Sequence, residues 1–433
     1  MLSFSTYRIM KSTLCQLQCG VIRKDVFRKF VRKAHFSEKT LSHTHLKQLL
    51  QKCKSVTEQL EVFNSCTQLT DEDISTRESL CKEVENAFRP HFPDCSVDLT
   101  GSSVSRLGLK SSDVDLSFQP FSDGTRKHDP AEDTSVNSSK DNKMENSSVG
   151  GFSKLKPKEK LCHLKTLLTA SGFDSQSKVI PGVCPILYFT HRNLACDLSI
   201  ENKSAIYSTN LMLLCNMLEK RVAPLYRFLI YWFKYYKLCG GISKFKSYAV
   251  FLLVVYFLQT RNPPVLPTVE DMFQKTDFIN NKNCVTYVCE YLNRFERSKN
   301  SESLEELLKG FFSFYAKYNY SNAICPLEAQ SVNTTELISK SLLSGNIFQS
   351  YFEAKYDEDM EKNTMLRPPF TLALPLKTLV NIRRRRLSTA IGGMVGLRVQ
   401  QSCSCLRDSD SPMLLIIFQN RIHKLVMTAQ KPA

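Results

Sequence analysis

The chain has no C-x-x-C pair, no membrane-length apolar run and no internal repeat, and these absences narrow its class. Its sixteen cysteines are scattered, which disfavours a zinc ribbon or a thioredoxin-like site and favours buried or free thiols in a reducing compartment. Cys284 and Cys289 form one C-x4-C pair without a matching second pair. Residues 248–258 are apolar but too few to cross a bilayer, so they predict a buried helix.

Acidic residues are also in deficit. There are 42 Asp and Glu against 58 Lys and Arg, which gives a formal net charge of +16. Such an excess indicates an anionic partner, which could be a nucleic acid, a nucleotide or a membrane surface. The 433 residues suffice for two or three domains, and 42% hydrophobic with 23% charged residues is typical of a globular protein.

The first forty residues contain nine Lys and Arg but only two acids, Asp25 and Glu38. Hydroxyl and apolar residues fill the gaps between the basic ones. A basic, acid-poor and potentially amphipathic start is typical of a mitochondrial transit peptide, so residues 1–45 are predicted to be one. The alternative is a basic arm that binds nucleic acid or is disordered.

The most informative motif is GSSVSRLGLKSSDVDL, which begins at Gly101. Asp113 and Asp115 are two residues apart, so in a strand their carboxylates share a face and can hold the same divalent cations. The run VDLTGSS predicts a strand, a turn and a helix start, and Gly101 and Ser102 suit a turn whose N–H groups and hydroxyl meet a triphosphate. A lone D-x-D is weak, because edge strands and turns often carry two acids. The Gly-Ser pair and the hydrophobic flanks make the motif typical of a polymerase-β-like nucleotidyltransferase site.

A third acid stands in another strand-like run. Asp197 lies between the apolar Cys196 and Leu198. Burying an unpaired carboxylate is costly, so Asp197 either shares the metal of the first two acids or lies on an exposed face of the sheet. The first motif favours the shared metal.

Local patterns predict the elements around these motifs. Ser75–Glu78 resembles a capping box that opens a helix through Phe88, and residues 160–170 have helical spacing. Residues 183–189 and 193–200 read as strands that meet at a turn at His191 and Arg192. The chain is thereby divided into a basic arm (1–45), a short helical region (46–74), an α/β domain (75–207) with a flexible insertion (120–158), a mostly helical domain (208–382) and a divergent tail (383–433).

These motifs resemble the noncanonical poly(A) polymerases and terminal uridylyltransferases. The resemblance covers residues 76 to about 382, roughly 70% of the chain. Its matching stretches are residues 91–116, 184–198, 254–268, 281–288, 303–318 and 367–376. The run FLQTRNPPVLPT is the narrowest match and points to the mitochondrial branch of the family and a nuclear relative. The resemblance implies an α/β (α+β) polymerase-β-like nucleotidyltransferase palm with a second, mostly helical nucleotide-binding domain.

The resemblance also implies roles for particular residues. Asp113, Asp115 and Asp197 would be the catalytic carboxylates and the ligands of two Mg²⁺ or Mn²⁺ ions. The remaining candidates would bind the nucleotide, and they are Gly101 and Ser102 beside the phosphates, Thr209 and Asn210 at the ribose, Lys234 and Ser247 at the triphosphate, and Tyr248 on the base. From the residues alone, Lys234 could equally be a solvated surface charge and Tyr248 a core residue.

Two departures from the family pattern bear on the nucleotide. Ile230 stands where many relatives have a second basic residue, which leaves Lys237 or Lys246 to supply the charge. The uridylyl-selective members carry a histidine beside the base, whereas His423 is the only histidine here after His191. This difference favours ATP over UTP as the substrate.

The predicted function is template-independent addition of AMP from ATP to an RNA 3′ end in the mitochondrial matrix. The resemblance also implies a homodimer, and no membrane span is expected. The alternatives are terminal uridylylation and a non-catalytic RNA-binding subunit of the same fold. All three acids are present, which argues against the non-catalytic reading.

Overall fold

A five-stranded sheet forms the centre of the first half of the chain. The computed structural model describes residues 43–121, 147–173, 176–182, 184–236, 238–239, 245–276, 290–319 and 322–333. Its strands are β1 (Ser96–Thr100), β2 (Val114–Gln119), β3 (Lys178–Ile180), β4 (Ile186–His191) and β5 (Leu194–Ile200). They lie in the order β1-β2-β5-β4-β3. The β2–β5 pair is parallel and the other three pairs are antiparallel.

Helices surround this sheet and build a second layer beyond it. In chain order they are α1 (His43–Leu50), α2 (Val56–Thr67), α3 (Asp71–Phe88), α4 (Gly101–Ser105), α5 (Ser147–Lys154), α6 (Pro157–Ala170), α7 (Lys203–Leu218), α8 (Val222–Tyr235), α9 (Ser247–Gln259), α10 (Val269–Gln274) and α11 (Leu304–Lys317). A short hairpin, β6 (Asn322–Cys325) and β7 (Gln330–Asn333), follows α11. No helix among the described residues is both long and apolar enough to span a membrane.

The palm core lies on one face of the sheet. Val114, Leu116 and Phe118 of β2 are buried there, as their alternation predicts. Helices α3 and α6 cover this face, and Phe88 of α3 packs edge-on against Phe118 with ring centroids 4.9 Å apart. The helical spacing of residues 160–170 is confirmed, because the four leucines that define it are all buried: Leu161, Leu164, Leu167 and Leu168.

The second core belongs to the helical part of the chain. Helix α9 is buried along nearly its whole length, as predicted for an apolar segment. The N-terminal helices α1 and α2 also pack in this core, not in the palm. Phe63 of α2 meets Phe228 and Tyr231 of α8 with centroids 5.7 and 5.2 Å apart. The described part of the chain therefore starts in the helical core at α1, crosses to the palm and returns.

Some local predictions are wrong. Helix α3 begins at Asp71, where Thr70 and Asp73 form the capping box, and Ser75 lies inside the helix. The acidic first turn explains the earlier start, because carboxylates are favourable at a helix N-terminus. The β4–β5 turn is formed by Arg192 and Asn193, with φ of 50° and 63°, one residue later than predicted.

The predicted insertion at 120–158 is also partly wrong. Helix α5 and the start of α6 occupy its C-terminal part. Phe152 of α5 is buried and packs edge-on against Phe92 at 4.8 Å, so one aromatic side chain anchors an otherwise polar segment. The predicted domain boundary at residue 207 falls within α7. The predictions for residues 1–42, 334–433, Lys237, Cys284 and Cys289 lie outside the described residues.

Candidate active site

Two of the three predicted carboxylates stand side by side on neighbouring strands. In the parallel β2–β5 pair, Asp115 is the register partner of Asp197. Asp113 comes directly before β2. Since side chains alternate across a sheet, Asp115 and Asp197 share the face opposite to the buried Leu116 and Leu198. The parallel register thus joins two acids that are 82 residues apart in the sequence.

The carboxylates repel one another. Burial, followed by repulsion from Asp197 and Asp113, raises the pKa of Asp115 to about 7. Burial, followed by repulsion from Asp113, raises the pKa of Asp197 to about 6. The charges of Arg77 and Lys246 act in the opposite direction, on the pKa of Asp115 and Asp197 respectively. The cluster therefore has unbalanced negative charge when all three acids are ionised.

The donor chemistry of this cluster fits Mg²⁺ or Mn²⁺. Three carboxylates supply the hard oxygen ligands that these ions prefer, and their mutual repulsion is what a bound cation relieves. Across the described part of the chain, no three His, Cys, Asp or Glu side chains are already arranged as a metal-ligand set. The three acids therefore have suitable donor atoms for such an ion, but their oxygens are not already placed in a complete coordination geometry.

Gly101 lies directly against the carboxylate of Asp115. It starts α4 with a positive φ of 65°, a conformation that favours glycine. Its N–H donates to the Thr209 hydroxyl at 2.6 Å, and the N–H of Ser102 donates to Asp115. The predicted turn and helix start at Gly101 are thus confirmed, and this turn joins the palm to α7.

Thr209 and Asn210 are neighbours on α7, and both are buried. The Thr209 hydroxyl accepts from Gly101 and donates to the Ala205 carbonyl at 2.6 Å. Its hydrogen bonds are therefore used within the protein. In contrast, Asn210 Nδ2 is buried without a hydrogen-bond partner.

The remaining nucleotide candidates lie in the last turn of α8 and the first turn of α9. Ser247 is exposed at the start of α9, directly after Lys246, whose charge reaches Asp197. Tyr248 is half-buried, and its ring stacks on Phe251 with centroids 6.0 Å apart. Lys234 is exposed in the last turn of α8 and has no ion pair with any described residue. The structure brings Lys246 towards the carboxylates and records no such contact for Lys234.

Sequence reasoning missed two buried arginines beside this site. Arg77 of α3 donates to the carbonyls of Ser112 and Asp113 at 2.6 and 3.0 Å. Arg227 of α8 donates to the carbonyls of Arg106 and Gly108. The available signal was their position in apolar stripes, because Arg77 follows Ile74 and precedes Cys81 at helical spacing.

Comparisons with known proteins find similar sequences and similar folds. Residues 56–215 match the family model described as poly(A) RNA polymerase, mitochondrial-like, central palm domain. The zebrafish (Danio rerio) speckle targeted PIP5K1A-regulated poly(A) polymerase is 31% identical over 301 residues, covering 64% of this chain and 36% of its own. The human mitochondrial poly(A) RNA polymerase is 29% identical over 296 residues, covering 64% and 48%. The chain thus spans less than half the length of these curated relatives.

Solved structures share the fold. The crystal structure of mtPAP in complex with ATPγS matches with a TM-score of 0.65 at 21% identity, covering 90% of this chain and 74% of that one. The structure of mtPAP in complex with UTP matches with the same TM-score at 20% identity, with the same coverage. The Cid1 poly(U) polymerase matches with a TM-score of 0.57 at 18% identity, covering 87% of this chain and 99% of that one. The fold is therefore the one that these solved structures share, and residues 56–215 of this chain are similar to the central palm domain of mitochondrial-like poly(A) RNA polymerases.

Proposed function

We propose that this protein adds AMP from ATP to RNA 3′ ends without a template, as a polynucleotide adenylyltransferase that releases pyrophosphate. The observation that carries the proposal is the parallel β2–β5 register, which sets Asp115 beside Asp197 on one face of the sheet. The relatives by sequence are poly(A) polymerases, and this favours adenylation over the alternatives.

Asp113, Asp115 and Asp197 are proposed to hold two Mg²⁺ or Mn²⁺ ions. When bound, these ions supply charge stabilisation at the triphosphate and activate the attacking 3′-hydroxyl. Asp197 is proposed to accept the proton of the RNA 3′-hydroxyl. Arg77 and the Ser102 N–H keep the pKa of Asp115 from rising further.

The other candidates divide the nucleotide between them. Ser102 and Ser247 are proposed to bind phosphate, with Lys246 supporting Lys234 because the Ile230 side chain is apolar and buried. Tyr248 is proposed to stack on the base. Of the two ribose candidates, Asn210 has unpaired amide hydrogens, whereas the Thr209 hydroxyl already donates and accepts.

The defining experiment incubates the purified chain with Mg²⁺ or Mn²⁺, a labelled oligoribonucleotide and each of the four NTPs separately. A ladder with ATP alone supports adenylation, and a ladder that needs Asp113, Asp115 and Asp197 supports the site. No ladder under any condition would return the protein to an RNA-binding role. Because the positive charge would bind the RNA backbone, extension should weaken steeply with salt.

The second candidate is terminal uridylylation. Its support is structural, because the fold matches a poly(U) polymerase and a UTP complex of mtPAP. Competition of ATP against UTP on one primer separates the two candidates. Preferential incorporation of UMP would replace the adenylation proposal.

Location and assembly follow as further proposals. The relatives include both mitochondrial and speckle-targeted enzymes. The basic residues 1–45 support the mitochondrial matrix, and a diffuse signal from their fusion to a fluorescent reporter would refute it. A homodimer is tested by analytical ultracentrifugation, in which a single monomeric species would exclude it.

A further inference from the structure

The segment that joins α4 to β2, residues 106–113, links the Gly-Ser turn to the first catalytic carboxylate. It contains no regular secondary structure of its own. Its ends are Arg106, which follows α4 in the left-handed conformation, and Asp113, which directly precedes β2. The segment is therefore the covalent connection between the turn that carries Gly101 and Ser102 and the strand that carries Asp115.

From the palm, Arg77 holds the C-terminal end of the segment. Its side chain is 1% exposed. Nη2 donates to the Ser112 carbonyl at 2.6 Å, while Nη1 donates to the Asp113 carbonyl at 3.0 Å and to Ser103 Oγ at 2.9 Å. One guanidinium thus joins α4 to the start of β2. Only a planar fork of donors can satisfy these acceptors together.

From the helical core, Arg227 holds the N-terminal end. Its side chain is 4% exposed, and burial lowers its pKa to about 10. It donates to the carbonyls of Arg106 and Gly108 and to Asn64 Oδ1 of α2. Arg227 therefore ties the segment to two helices that lie outside the palm core.

Neither guanidinium has a carboxylate ion pair with a described residue. A buried cation is costly unless its hydrogen bonds are satisfied, so a fold that needed only packing would be served by an apolar side chain of similar volume. Both guanidinium groups instead donate hydrogen bonds to main-chain carbonyls of the same eight-residue segment, residues 106–113. This shared target is what a purely structural role leaves unexplained.

We propose that Arg77 and Arg227 are positioning residues that fix residues 106–113 from the palm and from the helical core, and so set the Gly-Ser turn against the carboxylates for nucleotidyl transfer. The proposal rests on the proposed function. It makes the packing of the helical core part of the catalytic geometry, through Arg227, whose side chain is almost fully buried.

The test uses the full chain with Arg77→Lys and Arg227→Lys, which keep the charge but lose the fork. One control is Arg89→Lys, at an exposed ion-paired residue that directly follows α3. The other is Arg221→Lys, at a largely buried residue directly before α8 that bonds Glu219, Asn300 and the Glu302 carbonyl. For each variant, kcat, the KM for ATP, Tm and Mn²⁺ affinity by calorimetry are measured.

We expect kcat to fall by at least about 10-fold in Arg77→Lys and in Arg227→Lys, because misplacement of reacting groups by about 1 Å is costly in rate. The KM for ATP should stay within about two-fold of the wild-type value. Mn²⁺ affinity should fall with kcat. The control Arg221→Lys should lower Tm without changing kcat. The inference would be overturned if Arg77→Lys and Arg227→Lys kept the wild-type kcat, or if Arg221→Lys lost as much kcat as they do.

Two milder variants keep the test decisive if Arg77→Lys or Arg227→Lys fails to fold. Ser103→Ala removes one acceptor of Arg77, and Asn64→Ala removes one acceptor of Arg227, while both cations remain. Each should lower kcat about 3-fold, and unchanged kcat in both would refute the proposal. If the wild-type protein binds Mn²⁺ but does not extend RNA, the adenylation proposal fails. The Mn²⁺ affinities of the variants then decide alone whether Arg77 and Arg227 position the carboxylates. If wild type does neither, both proposals fall.

Discussion

The α-carbon of Gly101 lies so close to Asp115 that a Cβ at residue 101 would stand 2.2 Å from Asp115 Oδ2. This contact leaves no room for any side chain between the turn and the carboxylate. It also explains why the turn needs glycine beyond its positive φ of 65°.

The first prediction is that Gly101→Ala lowers RNA extension by at least about 10-fold, because the carboxylate of Asp115 must rotate away. Gly172→Ala is the matched control, since Gly172 also has a positive φ but nothing stands within 4 Å of its Cβ position. Both variants should lose Tm from backbone strain, and Gly101→Ala should lose more because its Cβ also displaces the Asp115 carboxylate. Normal extension by Gly101→Ala would show that Asp115 is not constrained by this contact.

The second prediction concerns Asp115→Asn. Extension should fall at least about 100-fold, because a metal-binding carboxylate is lost. Measured in EDTA, Tm should be unchanged or higher, since the substitution removes repulsion from Asp113 and Asp197. Mn²⁺ should raise the Tm of wild type and of the exposed control Asp94→Asn, but not that of Asp115→Asn. A Tm rise by Mn²⁺ equal to that of wild type would place the metal elsewhere.

The third prediction separates two roles for Thr209. Thr209→Val leaves the Gly101 N–H without its acceptor, which should cost about 1–3 kcal/mol and lower kcat. Thr209→Ser keeps the hydroxyl and should behave as wild type. Because the hydroxyl is already bonded within the protein, the KM for ATP should stay constant. A rise in KM with constant kcat would instead indicate contact with the ribose.

The fourth prediction is that Phe63→Ala destabilises the protein by about 3–5 kcal/mol, as expected for a fully buried phenylalanine. Its ring packs on Phe228 and Tyr231, so the loss should appear in chemical denaturation of the whole chain. Tyr235→Ala, which truncates an exposed aromatic residue of α8, is the control. Equal stability of the two variants would show that α2 is dispensable for this core.

The fifth prediction concerns pH. Hydrogen bonds from Arg261 hold the pKa of Glu302 below its ordinary value of 4.5. A lowered pKa means that the interaction stabilises the fold above about pH 4.5 and that this stability is lost as pH falls through the folded-state pKa. Glu302→Gln should therefore lower Tm at pH 7, and the difference should shrink in acid.

The control for this pH dependence is Glu305→Gln, which breaks the more exposed pair with Lys309. Such a pair contributes little, so its Tm should stay close to wild type at every pH. A constant Tm difference for Glu302→Gln across the acid range would show that packing, and not the charge of Glu302, carries the effect.

The sequence alone determined the local elements and the identity of the acids. Alternating apolar residues predicted β2 and β5, and leucine spacing predicted α6, because a buried face imposes its own period on the chain. Asp197 could be singled out because a lone acid in an apolar strand requires a partner. The Gly-Ser pair predicted a turn and a helix start, which α4 confirms.

Tertiary structure decided what local patterns cannot express. The pairing of Asp115 with Asp197 depends on a parallel register between strands far apart in the chain. The bonds from Arg77 and Arg227 reach main-chain carbonyls, and any residue can offer a carbonyl, so no motif marks them. Helices α1 and α2 look like a separate N-terminal region, yet Phe63 finds its apolar partners in the helical core. Burial of apolar surface has no direction along the sequence, and so only the folded chain shows where it is satisfied.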